Sequence, residues 1–373
     1  MGSMPGIRAF CFVVALATAG AIAEEARYSD EVARFLQRIN REGQGNARFR
    51  VDYPGGHAAW EHDARASLSH LLGLEKIAAQ APAFTPSVQL GEMEVHEGYT
   101  RQRGEIETEP DVRVPFWLLR PLGTGPFPLA IFPHGHDTVG MDSHVGLAHD
   151  EAHAKRIATQ DRDVAVQAVR RGFIAIAPAT RGLAGEGIPD LQGRHGKRGC
   201  RSHLMHALLA GRTAMGERVW DMSRLIDWAF TRPDIDMSQV LMMGNSGGGM
   251  VTLYAAACDT RITIAVSSCA FTQVIRGDGY IYHCDCNMVP GLLAWGDLPD
   301  VAGLIAPRHF LAVSGRGDSL HSEQDIETAA RRAKEIFSTR GVEDRFAHQW
   351  GDDGHRYYKR LMWPFVEGVL HRP

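Results

Sequence analysis

A chain of 373 residues, 44% of them hydrophobic and 23% charged, can bury a large core and is too apolar to be a disordered tract. Its 40 Lys and Arg against 44 Asp and Glu leave a formal charge of −4, which excludes a global basic field for nucleic acid. One basic cluster stands out, RHGKRGCR from Arg194 to Arg201, read as a solvated loop or, as the lesser reading, as a site for an anionic substrate group.

At the N-terminus Arg8 precedes the apolar run AFCFVVALATAGAIA, which ends in Ala21-Ile22-Ala23. The charge, the apolar run and the small residues predict a secretory signal cleaved after Ala23, hence a periplasmic or secreted product with no stable membrane anchor. Cys11 has no lipoprotein-type pattern before it. Five cysteines follow the cleavage point, Cys200, Cys258, Cys269, Cys284 and Cys286. An odd number leaves at least one free or paired between chains. HCDC at His283–Cys286 has two cysteines and one histidine but no second cluster in the sequence, so packed thiols or a disulfide partner are expected there and no metal.

Residues 24–87 are predicted to be a helical extension and 88–373 one catalytic domain. In the extension SDEVARFLQRI opens on Ser29 as N-cap, and EHDARASLSHLLGL has apolar residues at helical spacing. Residues 88–121 have strand character, ending in VRVPFWLLRP. An alternation then begins: a strand at 128–135, a helix at 162–172, a strand at 173–182, a long helical stretch over 203–229, a strand at 239–244 and a helix at 248–258. Strands at 262–268, 309–315 and 345–351 follow, with helices over 322–341 and 356–370, Pro364 interrupting the last. Short apolar strands alternating with helices predict a mostly parallel sheet covered on both faces, with working residues just past the strand C-termini.

One stretch carries chemistry. VLMMGNSGGGM (240–250) sets Gly244-Asn245-Ser246-Gly247-Gly248, a G-x-S-x-G pattern, between a strand and a helix. A strand that reverses at once into a helix leaves no room for side chains two residues before and after the serine, and forces the serine toward positive φ. A phosphate loop would need a lysine that is absent here. Ser246 is therefore the expected nucleophile, and it needs a base and an orienting carboxylate later in the chain. Asp318, after the 309–315 strand, and His355, after the 345–351 strand, are placed to serve. His321 reads as a rim residue and His348 as a strand residue. Asp352 and Asp353 read as turn formers, Asp297 and Asp300 as turn or capping residues. Gly247 N–H and His136 N–H, the latter in FPHGHD (132–137), are the expected oxyanion donors. His134 and His136 with HDEAH (149–153) are a competing metal set, but a zincin helix needs glutamate where Asp150 stands.

These stretches resemble the α/β-hydrolase superfamily, and within it the bacterial acetyl xylan esterases and dienelactone-hydrolase-like esterases. The likeness lies in GRTAMGERVWDMSRLIDW, GNSGGGMVTLYAAACD, HCDCNMVPGLL, PDVAGLIAPRHFLAVSGRGD and the GDDGH near the end, together spanning most of residues 115–370. The resemblance implies an α/β-hydrolase fold, a Ser246–Asp318–His355 triad, no cofactor, and an esterase acting on small acyl groups, often on carbohydrate. Asn245 precedes the serine where related esterases often have glutamine or histidine. The insert at 272–300 is long for a sheet connection and is expected to shape the mouth of the site, with Asn245, Tyr280, Tyr282 and His283 as pocket candidates. Two rivals are a prolyl-oligopeptidase-like peptidase, for whose N-terminal propeller the upstream segment is too short, and a non-catalytic binding protein on the same fold.

Overall fold

A computed structural model describes residues 29–370 apart from 43, 44, 46, 185–187, 277, 278, 280 and 282. The expected signal segment and two pocket candidates, Tyr280 and Tyr282, lie outside the described residues.

Three helices come first: α1 (Asp30–Glu42), α2 (Gly56–Leu72) and α3 (Leu74–Gln80). The 88–121 stretch is an antiparallel meander, β1 (Ser87–His96), β2 (Tyr99–Glu109) and β3 (Val112–Pro121), because Gly98 and Asp111 turn the chain at φ 84° and 66°. After β4 (Phe127–Ile131) come α4 (Gly140–His144), α5 (Glu151–Thr159), α6 (Val164–Val169) and β5 (Ile174–Pro178). The long helix expected over 203–229 is two, α7 (Gly199–Leu209) and α8 (Ala214–Ala229). Gly211 turns left-handed between them at φ 67°, and Thr213 starts α8 by accepting the Gly216 N–H at 2.8 Å. Then follow β6 (Ile235–Asn245), α9 (Gly247–Cys258), β7 (Ile264–Ser268), the short α10 (Leu292–Trp295) and α11 (Leu298–Gly303), β8 (His309–Gly315), α12 (Glu323–Thr339), β9 (Phe346–Gly351) and α13 (Lys359–Leu370).

Among the described residues the strands form one nine-stranded sheet in the order β1-β2-β3-β5-β4-β6-β7-β8-β9. Every pair from β5 to β9 is parallel, and the meander adds antiparallel strands at the β1 edge. β5 and β7 are buried at every residue, as strands covered on both faces must be. Alternate residues serve alternate cores. Val240 and Met242 of β6 pack with α2, α8, α9, α11 and α12, while Leu241 and Met243 pack with α6 and α13.

The N-terminal helices share the first of these cores. Trp60 and Leu68 of α2 are fully buried, and the Trp60 indole donates to Ala47 O at 2.7 Å. Arg65 fastens α2 to the carbonyls of Ala257 and Leu304 at 2.9 and 2.8 Å.

Candidate active site

The C-terminal ends of β4, β6, β8 and β9 open on one cleft of about 610 Å³, lined by His136, Ser246, Gly247, His283, His321 and His355 among others. Ser246 caps α9 at φ 56°, ψ −125°, a strained conformation for a residue with a Cβ. The glycines around it meet the steric demand read from the sequence. A Cβ on Gly244 would stand 2.2 Å from Gly248 O, and one on Gly248 would stand 2.0 Å from Pro133 O. The Ser246 N–H donates to Ser268 O at 2.9 Å, which ties the elbow to the neighbouring strand.

Asp318 and His355 meet directly. His355 Nδ1 lies 2.6 Å from Asp318 Oδ2, and Asp318 Oδ1 accepts the Leu320 N–H at 3.1 Å. Burial works to raise the Asp318 pKa, but the His355 hydrogen bond and charge outweigh it and hold the carboxyl below its ordinary value. With Nδ1 committed to the carboxylate, Nε2 of His355 is the nitrogen left for the cleft. Ser246 Oγ makes no hydrogen bond among the described residues; it and His355 are walls of the same cleft.

A clamp holds the peptide around His355. Arg356 O accepts from the Asn245 amide at 3.1 Å, from Ser268 Oγ at 2.7 Å and from Cys269 Sγ at 3.5 Å. Tyr358 OH donates to Gly354 O at 2.5 Å. Asn245, a pocket candidate from the sequence, thus turns its amide to Arg356 O and Ser268 O, and it positions the loop that carries His355.

The loop after β4 faces the elbow. Gly135 fits there because a Cβ would lie 2.9 Å from Asn245 O and 3.0 Å from Ser246 Cβ. His134 is structural: its Nε2 accepts the Thr180 N–H at 2.9 Å and its Nδ1 lies 2.7 Å from Gly135 O. Burial lowers its pKa to about 4, which keeps the ring neutral. His149 and His153 are likewise engaged, with Asp142 and Ser143 at 2.8 Å each. The competing set of His134, His136, His149 and His153 forms no metal-ligand cluster among the described residues. His136 turns elsewhere, its Nε2 lying 3.3 Å from Cys286 Sγ. Burial works to lower the His136 pKa, but hydrogen bonds to Cys200, Cys284 and Cys286 raise it to about 12.

The other candidates separate cleanly. His283 and His321 line the cleft with ring centroids 4.8 Å apart, and burial lowers both pKa values, to about 3 and about 4. His348 bonds Ser314 Oγ at 3.1 Å, away from the cleft. Asp353 pairs with Arg356 at 3.0 Å, and Asp297 and Asp300 form the capping box of α11. All five described cysteines are free thiols.

A buried charge network was not legible in the sequence. Arg181 binds Asp221 and, at 2.9 Å, Glu109; Glu217 binds His203 at 2.6 Å. Burial works to raise the Glu217 pKa, but His203 and Arg181 hold it down at about 2. Arg218, fully buried, donates to Arg181 O at 2.8 Å and to Cys286 O at 3.0 Å. The GRTAMGERVWD segment therefore supports the insert that walls the cleft. The signal that could have found it is the run of charges Glu217, Arg218 and Asp221 on an otherwise apolar helix, since such charges are buried only when paired.

Sheet order, the elbow after a central parallel strand and the Asp–His pair at neighbouring strand ends define an α/β-hydrolase fold. Comparisons agree. The chain is 24% identical over 253 residues to the "Putative hydrolase YtaP" of Bacillus subtilis, covering 65% of this chain and 78% of that protein. A "putative acetyl xylan esterase" from Bacteroides fragilis superposes with TM-score 0.67 at 17% identity, covering 92% and 86% of the two chains. A glucuronoyl esterase from Teredinibacter turnerae superposes with TM-score 0.63 at 16% identity over 94% of each. No family profile matches the chain.

Proposed function

We propose that the chain is a periplasmic or secreted serine esterase that hydrolyses short-acyl carboxylic esters, acetylated carbohydrate among them, through an acyl-enzyme. The carrying observation is the strained Ser246 elbow in one cleft with a His355–Asp318 pair at 2.6 Å. His355 takes the Ser246 proton through Nε2 as Oγ attacks the ester carbonyl. The Gly247 and His136 amides hold the oxyanion. Protonated His355 then gives its proton to the leaving alcohol, and water repeats the sequence on the acyl group. Asp318 keeps the proton on Nδ1 and stabilises the imidazolium. The cleft volume suits a small ester or a short oligosaccharide, and esterases are among the structural neighbours.

Labelling of Ser246 by a fluorophosphonate probe separates the enzyme from a binding protein on the same fold. Turnover of p-nitrophenyl acetate and acetylated xylose oligomers, with none of aminoacyl anilides, separates esterase from peptidase; the reverse pattern refutes the proposal. Arg198 favours a second reading of the alcohol or acyl part. It lines the cleft and makes no ion pair among the described residues, a position suited to a substrate carboxylate. An acetyl ester of a uronic acid, whose carboxylate is free, tests it in the same panel.

Asn245→Ala checks the positioning role of that side chain. It removes two hydrogen bonds of about 1 kcal/mol each, so kcat is expected to fall roughly 5- to 30-fold with KM little changed. An unchanged kcat would refute the role, and titration of the active sites separates slower turnover from a smaller folded fraction.

A further inference from the structure

The thiols beside the cleft have a use of their own. His136 from the loop after β4, Cys200 in the first turn of α7, and Cys284 and Cys286 from the insert bring their donor atoms within 4.8 Å of one another. Two separations are resolved individually: Cys286 Sγ to Cys284 Sγ at 3.6 Å and Cys286 Sγ to His136 Nε2 at 3.3 Å. A tetrahedral zinc, with bonds of about 2.3 Å to sulfur and about 2.0 Å to nitrogen, sets its ligand atoms roughly 3.5–3.8 Å apart. A disulfide between Cys284 and Cys286 would need about 2.05 Å and would leave Cys200 and His136 without a role. We propose that His136 Nε2, Cys200, Cys284 and Cys286 bind one zinc-like divalent cation in a closed Cys3His site.

The surroundings fit three thiolates. Cys200 sits in the first turn of an 11-residue helix, the end whose unpaired N–H groups favour negative charge. Asp285 lies between the two insert cysteines and accepts the Cys286 N–H at 3.0 Å, while Arg201, one residue past Cys200, pairs with it. Arg218 holds Cys286 O at 3.0 Å from the buried side. Three thiolates around a divalent cation leave one negative charge in excess and Asp285 adds a second; Arg201, paired with Asp285, and Arg218 offset the two. Cys200 and Cys286 are buried. Four protein ligands leave no open position, so the ion is structural and activates no water.

The site joins three segments far apart in sequence, one of which carries the His136 amide. Coordination through Nε2 places the ring proton on Nδ1, the nitrogen facing the elbow: a Cβ on Gly247 would lie 3.6 Å from it. That consequence for turnover rests on the esterase reading; the site itself does not.

The test needs no substrate. Full-length protein purified without chelator is expected to hold about one zinc per chain, and a mercurial should release it in step with about three thiols. Cobalt(II) in its place should give tetrahedral ligand-field bands and thiolate-to-cobalt charge transfer. Cys284→Ser should lose the ion, and Cys258→Ser, outside the cluster, should keep it. The parent protein alone also decides the matter if the serine variant does not fold. Metal-free protein that takes up neither zinc nor cobalt(II), or a Cys284–Cys286 disulfide in its peptide map, overturns the site and leaves the esterase reading standing. A loaded site in a protein without ester turnover does the opposite.

Discussion

Ser246→Ala is expected to lower kcat for p-nitrophenyl acetate by about 10⁶-fold while the protein stays folded. The loss is large because the proposed mechanism makes the hydroxyl the attacking group, and alanine has nothing to put in its place at the elbow. The fold should survive because Ser246 Oγ makes no hydrogen bond among the described residues, whereas its N–H and C=O, which tie the elbow to Ser268 and to Met250, are retained. Alanine keeps the Cβ and so keeps the φ of 56° as it was. Stopped-assay kinetics with a thermal melt checks both halves. A variant with more than a thousandth of parental kcat would end the acyl-enzyme mechanism.

Asp318→Asn is the second large effect, with kcat expected to fall roughly 10⁴-fold. The carboxylate accepts the His355 Nδ1 proton at 2.6 Å and so selects the tautomer that leaves Nε2 free to take a proton. An amide can turn its NH2 toward Nδ1, which favours the wrong tautomer, and it has no charge with which to stabilise an imidazolium. The same pair sets a pH dependence. The Asp318 carboxyl is held below its ordinary value in the folded chain. Its contribution to stability is therefore complete above the unfolded value of about 3.9 and is lost as pH falls toward the lower folded value. The parent should lose stability through that acid window more steeply than Asp318→Asn, as melting temperatures across pH 2 to 5 would show; equal slopes would place the carboxylate outside the ion pair.

The elbow could be read before any coordinates because its constraints are local. A serine between a buried strand and a helix forces close backbone approach, and the 2.2 Å and 2.0 Å separations at Gly244 and Gly248 show that steric demand in space. Asp318 and His355 follow from chain order and strand ends, since parallel strands deliver their C-termini to one edge. The interruption of α7 and α8 at Gly211 was less visible, because apolar spacing continues through the turn. The role of Asn245 was hidden altogether. Its amide reaches Arg356 O, a partner that no local pattern indicates.

By itself, then, the chain's sequence determined the alternating strand–helix order, the glycine-fenced turn and the residue types gathered past the strand ends, all of which depend on neighbours within a few positions. Tertiary structure alone decided which distant groups meet: Arg181 with Asp221, and His136 with Cys200, Cys284 and Cys286. The physical reason is that a contact between side chains from separate segments depends on the packing of whole elements. One histidine and scattered cysteines have no spacing from which a shared centre can be computed.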